Sequence, residues 1–212
     1  KFNRDGSEEE FVAAIAPDYF YVDGIYGKIY YKDGSGDISS MNLDGTGNTS
    51  IISSTGNIRG ITGNPGEKLY FCDVATNKVY SADLDGGTPT DLGVSPVASP
   101  VSPVYDFYSE RLFFIESPNR VSFVGTDGKG YRTFATNEEV NLINFNGRIQ
   151  VDSANGWIYA VNNTPPGNIY RFPIFSRDYE IIGSATGNSP DGIFIDYEED
   201  KIYWYETNAS GI

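Results

Sequence analysis

The chain has 212 residues, of which 29 are acidic and 15 basic, so its formal net charge at neutral pH is −14. A charge this negative argues against nucleic acid as a partner, because the phosphates would be repelled. No stretch of about 18 apolar residues is present, so we expect no membrane insertion. The chain contains no histidine, and therefore lacks the commonest catalytic base and the commonest zinc-ligating side chain.

Short apolar and aromatic segments recur along the chain. They begin at Ile29, Leu69, Leu112, Ile158 and Ile202, at intervals of 40, 43, 46 and 44 residues. Each has the composition of a β-strand, and none shows helical periodicity. A strand-rich repeat of about 40–45 residues is typical of a β-propeller, in which each repeat forms one blade. The five copies therefore predict an all-β, five-bladed β-propeller of four-stranded antiparallel blades, a single domain over residues 1–212.

Two further elements accompany most of these segments; the fourth repeat has no Asp-Gly pair at residues 174–178, and we expect its hairpin to be longer or differently shaped. Upstream lie runs such as residues 19–23 and 192–196, which predict the innermost strand of a blade and end in an aspartate that we expect to accept hydrogen bonds from turn N–H groups. Downstream lie Asp-Gly pairs beginning at Asp44, Asp85 and Asp127. Asp-Gly is a strong hairpin signal, so these pairs predict type I′ turns between the third and fourth strands of a blade.

The two ends of the chain read as two parts of one blade. Residues 192–212 contain the front half of a repeat and residues 1–12 the back half. From Ile202 across the join to Asp5 is 15 residues, the same as from Ile29 to Asp44. We therefore predict that both termini close the last blade, which removes an exposed sheet edge.

The repeated pattern resembles the YWTD repeat of the low-density-lipoprotein-receptor family. The matching residues are Gly-Ile-Phe-Ile-Asp at 192–196, Lys-Ile-Tyr-Trp at 201–204 and Asn-Leu-Asp-Gly at 42–45, and the similarity extends over nearly the whole chain. Propellers of that family have six blades, whereas this sequence carries five copies. The resemblance implies the fold, while the ligand stays open because one fold serves many functions.

Propellers bind ligands where the connections between blades meet over the central channel. At the entries to the innermost strands, this rule predicts a ligand-binding set: Asp18, Tyr19, Asn57, Arg59, Tyr105, Asn146, Arg148 and Asp191. The two arginines are the most informative, because an arginine can hold a carboxylate with two hydrogen bonds. The alternative is that each arginine pairs with a neighbouring aspartate. For the proline-rich connection at residues 94–103 we expect a bridge between two blades, with a pocket rim as the alternative.

These features favour a noncatalytic extracellular recognition or scaffold module that binds a protein partner through the channel face. A carbohydrate-binding lectin is the alternative, because a near-symmetric ring can offer similar pockets in each blade. The entry residues differ between repeats, which suits one asymmetric protein better. A metal-dependent propeller hydrolase or lyase is the least expected function, and no cofactor or metal is predicted.

Three sequons favour a secreted protein. Their acceptor residues Asn48, Asn162 and Asn208 fall where the repeat predicts loops or turns, as N-glycosylation would require. Cys72 is the only cysteine, so no intrachain disulfide can form, and we expect it to be a small buried apolar residue.

Overall fold

The structure is a computed structural model that describes residues 15, 17–53, 56–95, 97–117, 120–135, 148–162, 167–174, 176, 178–185, 189–197 and 199–207. Over these ranges every regular element is a β-strand. None of the described residues belongs to a helix with the length and apolarity that a membrane span requires.

The strands form four four-stranded sheets and one two-stranded sheet, all antiparallel. The first sheet contains β1 (Phe20–Asp23), β2 (Lys28–Lys32), β3 (Ile38–Asn42) and β4 (Thr49–Ile52), and the second contains β5 (Ile58–Asn64), β6 (Lys68–Asp73), β7 (Lys78–Asp83) and β8 (Gly86–Asp91). The third contains β9 (Val101–Asp106), β10 (Arg111–Glu116), β11 (Arg120–Gly125) and β12 (Arg132–Ala135). The fourth contains β13 (Ile149–Asp152), β14 (Trp157–Val161), β15 (Asn168–Pro173) and β16 (Glu180–Ser184), and the fifth contains β17 (Ser189–Asp196) and β18 (Lys201–Thr207).

Each sheet corresponds to one predicted blade, and its strands pair in chain order. The first strands of successive blades contact one another, β1 with β5, β5 with β9, β9 with β13 and β13 with β17. These strands therefore surround one axis. All connections between blades lie at one end of that axis, because each first strand runs in the same direction. The turns between first and second strands lie at the opposite end.

The second strand of each blade carries much of the core. Leu112, Phe113 and Phe114 of β10 are completely buried. Phe113 packs towards the fourth blade in one apolar cluster, and Leu112 packs towards the second blade in another. Because neighbouring blades cover both faces, this strand reads as a continuous apolar run. Burial of a side chain such as Phe113 contributes roughly 1.5–3 kcal/mol.

The recurring aspartates end the innermost strands as expected. Buried Asp23 accepts hydrogen bonds from the backbone N–H groups of Ile25 and Tyr26 in the turn after β1, at 2.8 and 3.0 Å. Asp152 and Asp196 accept N–H groups of the corresponding turns. The prediction that these carboxylates fix turns is confirmed.

The Asp-Gly pairs lie in the hairpins between third and fourth strands, but the predicted turn type is wrong. Gly45, Gly86 and Gly128 have positive φ angles of 82°, 98° and 80°, and among the described residues their aspartate neighbours are not left-handed. A type I′ turn needs positive φ at both central residues. Asp44 instead accepts the N–H of Thr46 at 2.9 Å, so its carboxylate stabilises the turn without a strained backbone.

The predicted closure of the fifth blade falls on residues 1–12 and on the last residues of the chain. These positions lie outside the described residues, so the described fifth sheet consists of β17 and β18. Closure by the two termini stays a prediction.

Candidate functional site

The entries to the innermost strands enclose a cavity of about 740 Å³. We call it the channel-mouth cavity; its described lining residues are Pro17, Asp18, Tyr19, Arg59, Val74, Ser99, Val101, Ser102 and Arg148. Four residues of the predicted set thus meet here, Asp18 and Tyr19 from before β1, Arg59 from β5, and Arg148 from before β13. The volume is in the range of small-molecule and side-chain pockets.

Arg59 lies in a β-bulge. Ile58 pairs with Asp73 and Ile61 pairs with Phe71, so β5 has one more residue than β6 between the two pairs. The extra length is accommodated by Gly60, whose φ is 140°. A bulge interrupts the alternation of side chains and re-aims the residues that form it. Arg59 is consequently exposed at the mouth, although its neighbours on the strand are buried.

Arg148 connects the fourth blade to the first across the mouth. Its Nη2 donates a hydrogen bond to the backbone carbonyl of Asp18 at 3.0 Å, and its guanidinium lies 5.5 Å from the centre of the Tyr19 ring. The Asp18 carboxylate instead faces Lys32, at 3.4 Å from Nζ. Arg148 is therefore held by a carbonyl and an aromatic ring, and no carboxylate pairs with it among the described residues.

Arg59 differs from Arg148 in having no hydrogen bond or ion pair within the described part of the chain. The Asp18 side chain is 71% exposed and already engaged by Lys32. Two guanidinium groups without a carboxylate partner in the described part of the chain thus line one cavity of a protein whose net charge is −14. The expected alternative, in which each arginine pairs with an aspartate, does not occur among the described residues.

The other predicted residues lie elsewhere. Tyr105 is the fifth residue of β9, well below the mouth, and stacks on Tyr70 between the second and third blades with ring centres 6.0 Å apart. Burial raises the pKa of Tyr105 to about 12, with the charges of Tyr70 and Glu110 adding to the effect. Its placement at the channel mouth was wrong, because β9 begins earlier than the sequence pattern indicates.

Asn57 does not line the cavity either. Its backbone N–H donates to the Asp73 carboxylate at 2.9 Å, and its carbonyl accepts the N–H of Val74. Asn146 lies outside the described residues, as does the side chain of Asp191 in β17. The structure therefore brings together half of the predicted set.

The proline-rich connection contributes residues that were not in the predicted set. Ser99, Val101 and Ser102 line the cavity, so this connection shapes one rim of it. Ser99 and Ser102 have φ angles of 46° and 51°, in the left-handed region that ordinary residues rarely occupy. The Ser99 N–H is fixed by Asn77 Oδ1 at 2.8 Å. In the sequence, the prolines of this connection were the signal that set it apart from the others. Strained backbone often accompanies binding sites.

No protein-family model matches the sequence, and no curated protein sequence matches it. Solved structures do match. A chain in the crystal structure of a nidogen/laminin complex superposes with a TM-score of 0.77 at 17% identity, over 91% of this chain and 73% of that chain. The chain is a β-propeller.

Two further solved structures share the propeller fold. Virginiamycin B lyase from Staphylococcus aureus has a TM-score of 0.68 at 19% identity, covering 93% of this chain and 68% of that chain. A streptogramin B lyase has a TM-score of 0.71 at 15% identity, covering 96% of this chain and 70% of that chain. At these identities the likeness concerns the fold alone.

The other candidate groups have ordinary structural surroundings. Asn48 is exposed and accepts a hydrogen bond from the Tyr31 hydroxyl at 2.7 Å, whereas Asn162 is only 7% exposed and Asn208 lies outside the described residues. Cys72 is completely buried, as expected. Among the described residues, no three His, Cys, Asp or Glu side chains are grouped as metal ligands would be.

Proposed function

We propose that this propeller is a noncatalytic extracellular recognition module of the YWTD type, which binds a protein partner through the channel-mouth cavity. The observation that supports it most is the exposed guanidinium of Arg59, which has no partner among the described residues and shares a cavity with Arg148. An acidic side chain or a terminal carboxylate of the partner is the group that fits this pair of cations.

The composition of the cavity lining supports one asymmetric partner. The first blade contributes Asp18 and Tyr19, the second contributes Arg59, and the third contributes Ser99 and Ser102 from the segment that leads into it. Arginine enters from the second and fourth blades, as Arg59 and Arg148, and the residues from the first and third blades are of other types. A lectin that reads the same sugar in each blade would need similar side chains at equivalent positions. The solved nidogen/laminin complex is also a case of a propeller-containing protein that binds another protein.

Catalysis is not part of the proposal, although two similar structures are lyases. The chain has no histidine, and the aspartates that recur in the repeat are engaged by turn N–H groups. Extracellular placement is proposed from the resemblance to YWTD repeats and from the exposed sequon at Asn48.

The experiment uses acidic peptides as probes. An array of peptides with glutamate, aspartate or a free terminal carboxylate at varied positions is tested against the wild-type protein, and the best binder is measured by biolayer interferometry. A glycan array is probed in parallel. Loss of one charge-assisted contact of about 1.5–3 kcal/mol corresponds to weaker binding by roughly ten- to a hundredfold, and that loss is expected for Arg59→Gln.

The matched control is Lys68→Gln. Lys68 is an exposed cation at the opposite end of the blade and pairs with Asp83 at 2.7 Å. Peptide binding that depends on Arg59 and not on Lys68 supports the proposal. Binding of glycans with the same dependence assigns a lectin instead, and the absence of Arg59-dependent binding in both arrays refutes recognition through the channel mouth.

A further inference from the structure

A second cavity, of about 920 Å³, opens at the other end of the third blade. Its described lining includes Arg111 of β10, Phe123 and Gly125 of β11, and Arg132 and Thr133 of β12. We call it the third-blade groove. Phe123 belongs to the apolar cluster that joins the third blade to the fourth, so the groove opens on the face that packs against the fourth blade.

The sequence explains why a groove can form beside the fourth blade. In the second and third blades, a glycine of the hairpin packs tightly on the preceding blade: a Cβ at Gly86 would lie 2.2 Å from the Ile51 carbonyl oxygen, and one at Gly128 would lie 2.4 Å from that of Leu92. The corresponding stretch of the fourth repeat, residues 174–179, contains no glycine. A residue with a side chain cannot make such a close backbone contact, so this way of sealing the groove is not available to the fourth blade.

Two arginines face the groove from strands on either side of β11. Arg111 pairs with Gly125, and Arg132 pairs with Phe123. Directly paired residues of antiparallel strands point to the same face of the sheet, as do residues two apart on one strand. Arg111 and Arg132 therefore lie on one face, roughly 10 Å apart in the direction of the hydrogen bonds. Between them lies Gly125, and a carboxylate oxygen of Asp127 is 2.8 Å from the place where a Cβ of this residue would be.

The charged residues of the groove are three basic ones, Arg111, Lys129 and Arg132, and two acidic ones, Glu110 and Asp127. Lys129 pairs with Asp127 at 3.2 Å, so these two compensate each other. Arg111 is held over the Phe123 ring at 4.9 Å. Arg132 is exposed and has no hydrogen bond or ion pair within the described ranges. One guanidinium is thus positioned by packing, and the second has no counter-charge among the residues that the structure describes.

We propose that the third-blade groove binds a tetrahedral oxyanion, a sulfate or phosphate ester carried by a small ligand such as a sugar, with Arg111 and Arg132 on its oxygens. A guanidinium offers several N–H donors in a fixed plane, and a tetrahedral ester has three oxygens to accept them. The hydroxyl of Thr133 lies on the opposite face of the sheet, where it accepts a hydrogen bond from Ser122, so the two guanidinium groups supply the donors of the site. This site is separate from the channel-mouth cavity and shares no described residue with it.

The test is isothermal titration calorimetry with four probes: inorganic sulfate, inorganic phosphate, N-acetylglucosamine 6-sulfate and glucose 6-phosphate. We expect saturable binding of at least one ester, weakened at least about tenfold in Arg132→Gln. Equal affinity for the matching inorganic ion assigns recognition to the oxyanion alone, and tighter binding of the ester adds contacts to its sugar. Both results support the proposal.

Arg59→Gln is the matched control, because Arg59 is also an exposed arginine without a partner in the described part of the chain and lies at the opposite end of the propeller. It is expected to leave ester binding unchanged. No saturable binding of any probe, or equal weakening by the Arg59 and Arg132 substitutions, overturns the proposal. The outcome is independent of the peptide experiment, since Arg132→Gln is expected to leave channel-mouth binding intact.

Discussion

Replacement of Asp23 by alanine is expected to destabilise the protein strongly. Asp23 is completely buried, and its two carboxylate oxygens accept three backbone N–H groups. Two come from its own turn, and the third comes from Gly66 of the second blade at 2.8 Å. Each hydrogen bond to a charged group contributes roughly 1.5–3 kcal/mol, and buried donors left without an acceptor carry a penalty. With partial rescue by water, the expected loss is about 3–5 kcal/mol in the free energy of unfolding.

The assay is urea unfolding followed by tryptophan fluorescence, with Asp44→Ala as the control. Asp44 accepts the N–H of Thr46 in an exposed hairpin, so its loss is expected to cost about 1 kcal/mol. For a domain of this size, the larger loss corresponds to a melting temperature lower by roughly 10 °C. If Asp23→Ala is no more destabilising than Asp44→Ala, the carboxylate does not join the two blades as described.

The same carboxylate predicts a dependence on pH. Burial by itself raises the pKa of Asp23, but the N–H donors of Gly66, Tyr26 and Ile25 outweigh it and lower the pKa below its usual range. A group whose pKa is lowered by folding stabilises the protein fully above the pKa of the unfolded chain, about 3.9, and loses that effect as the pH falls through the folded value. The difference in stability between wild type and Asp23→Ala should therefore shrink at acidic pH, as measured by urea unfolding across that range.

Four further predictions concern Gly86, Glu110, Cys72 and Asn48. Gly86→Ala should lower the free energy of unfolding in urea by about 2–5 kcal/mol, because the new Cβ would lie 2.2 Å from the Ile51 carbonyl oxygen. Its control is Gly87→Ala, where φ is 92° and the space is open. That variant should lose only about 1–2 kcal/mol, from conformational strain. Glu110 has a φ of 51°, a conformation that glycine adopts without strain. Glu110→Gly should therefore raise the urea midpoint, with a gain of about 0.5–1 kcal/mol in the free energy of unfolding, and Glu110→Ala should show no such gain. The Cys72 thiol should not react with a thiol reagent until denaturant is added, because complete burial, followed by the charge of a neighbouring carboxylate, raises its pKa well above the usual value. If the protein is secreted by a glycosylating host, Asn48→Gln should lower its mass by one glycan, and an unchanged mass would show that this sequon is not used.

Much of the fold was predictable because the repeat is marked by residues that lie close together in the chain. Strand composition recurs at a nearly fixed interval, and four of the five innermost strands end in an aspartate, whose carboxylate can reach the next few N–H groups, while β5 ends in Asn64. Both signals depend on residues close in the chain. The turn type was missed for a local reason as well, since the sequence pair Asp-Gly is compatible with more than one hairpin geometry and the Asx hydrogen bond selects among them.

Placement of the site depended on packing between blades. The sequence identified Arg59 and Arg148 as candidates, but their proximity follows from a ring that brings the second and fourth blades to one cavity. The bulge in β5 that exposes Arg59 depends on its register with β6, and an earlier start of β9 takes Tyr105 into an interface.

The sequence by itself determined the repeat, the all-β class and the aspartates that fix the turns, because each follows from alternation and turn chemistry over a few neighbouring residues. Only the tertiary structure decided which arginines have no carboxylate partner among the described residues, which connection lines the channel mouth, and where a groove opens beside the fourth blade. Those features depend on strand register and on contacts between blades, whose residues are dozens of positions apart in the chain.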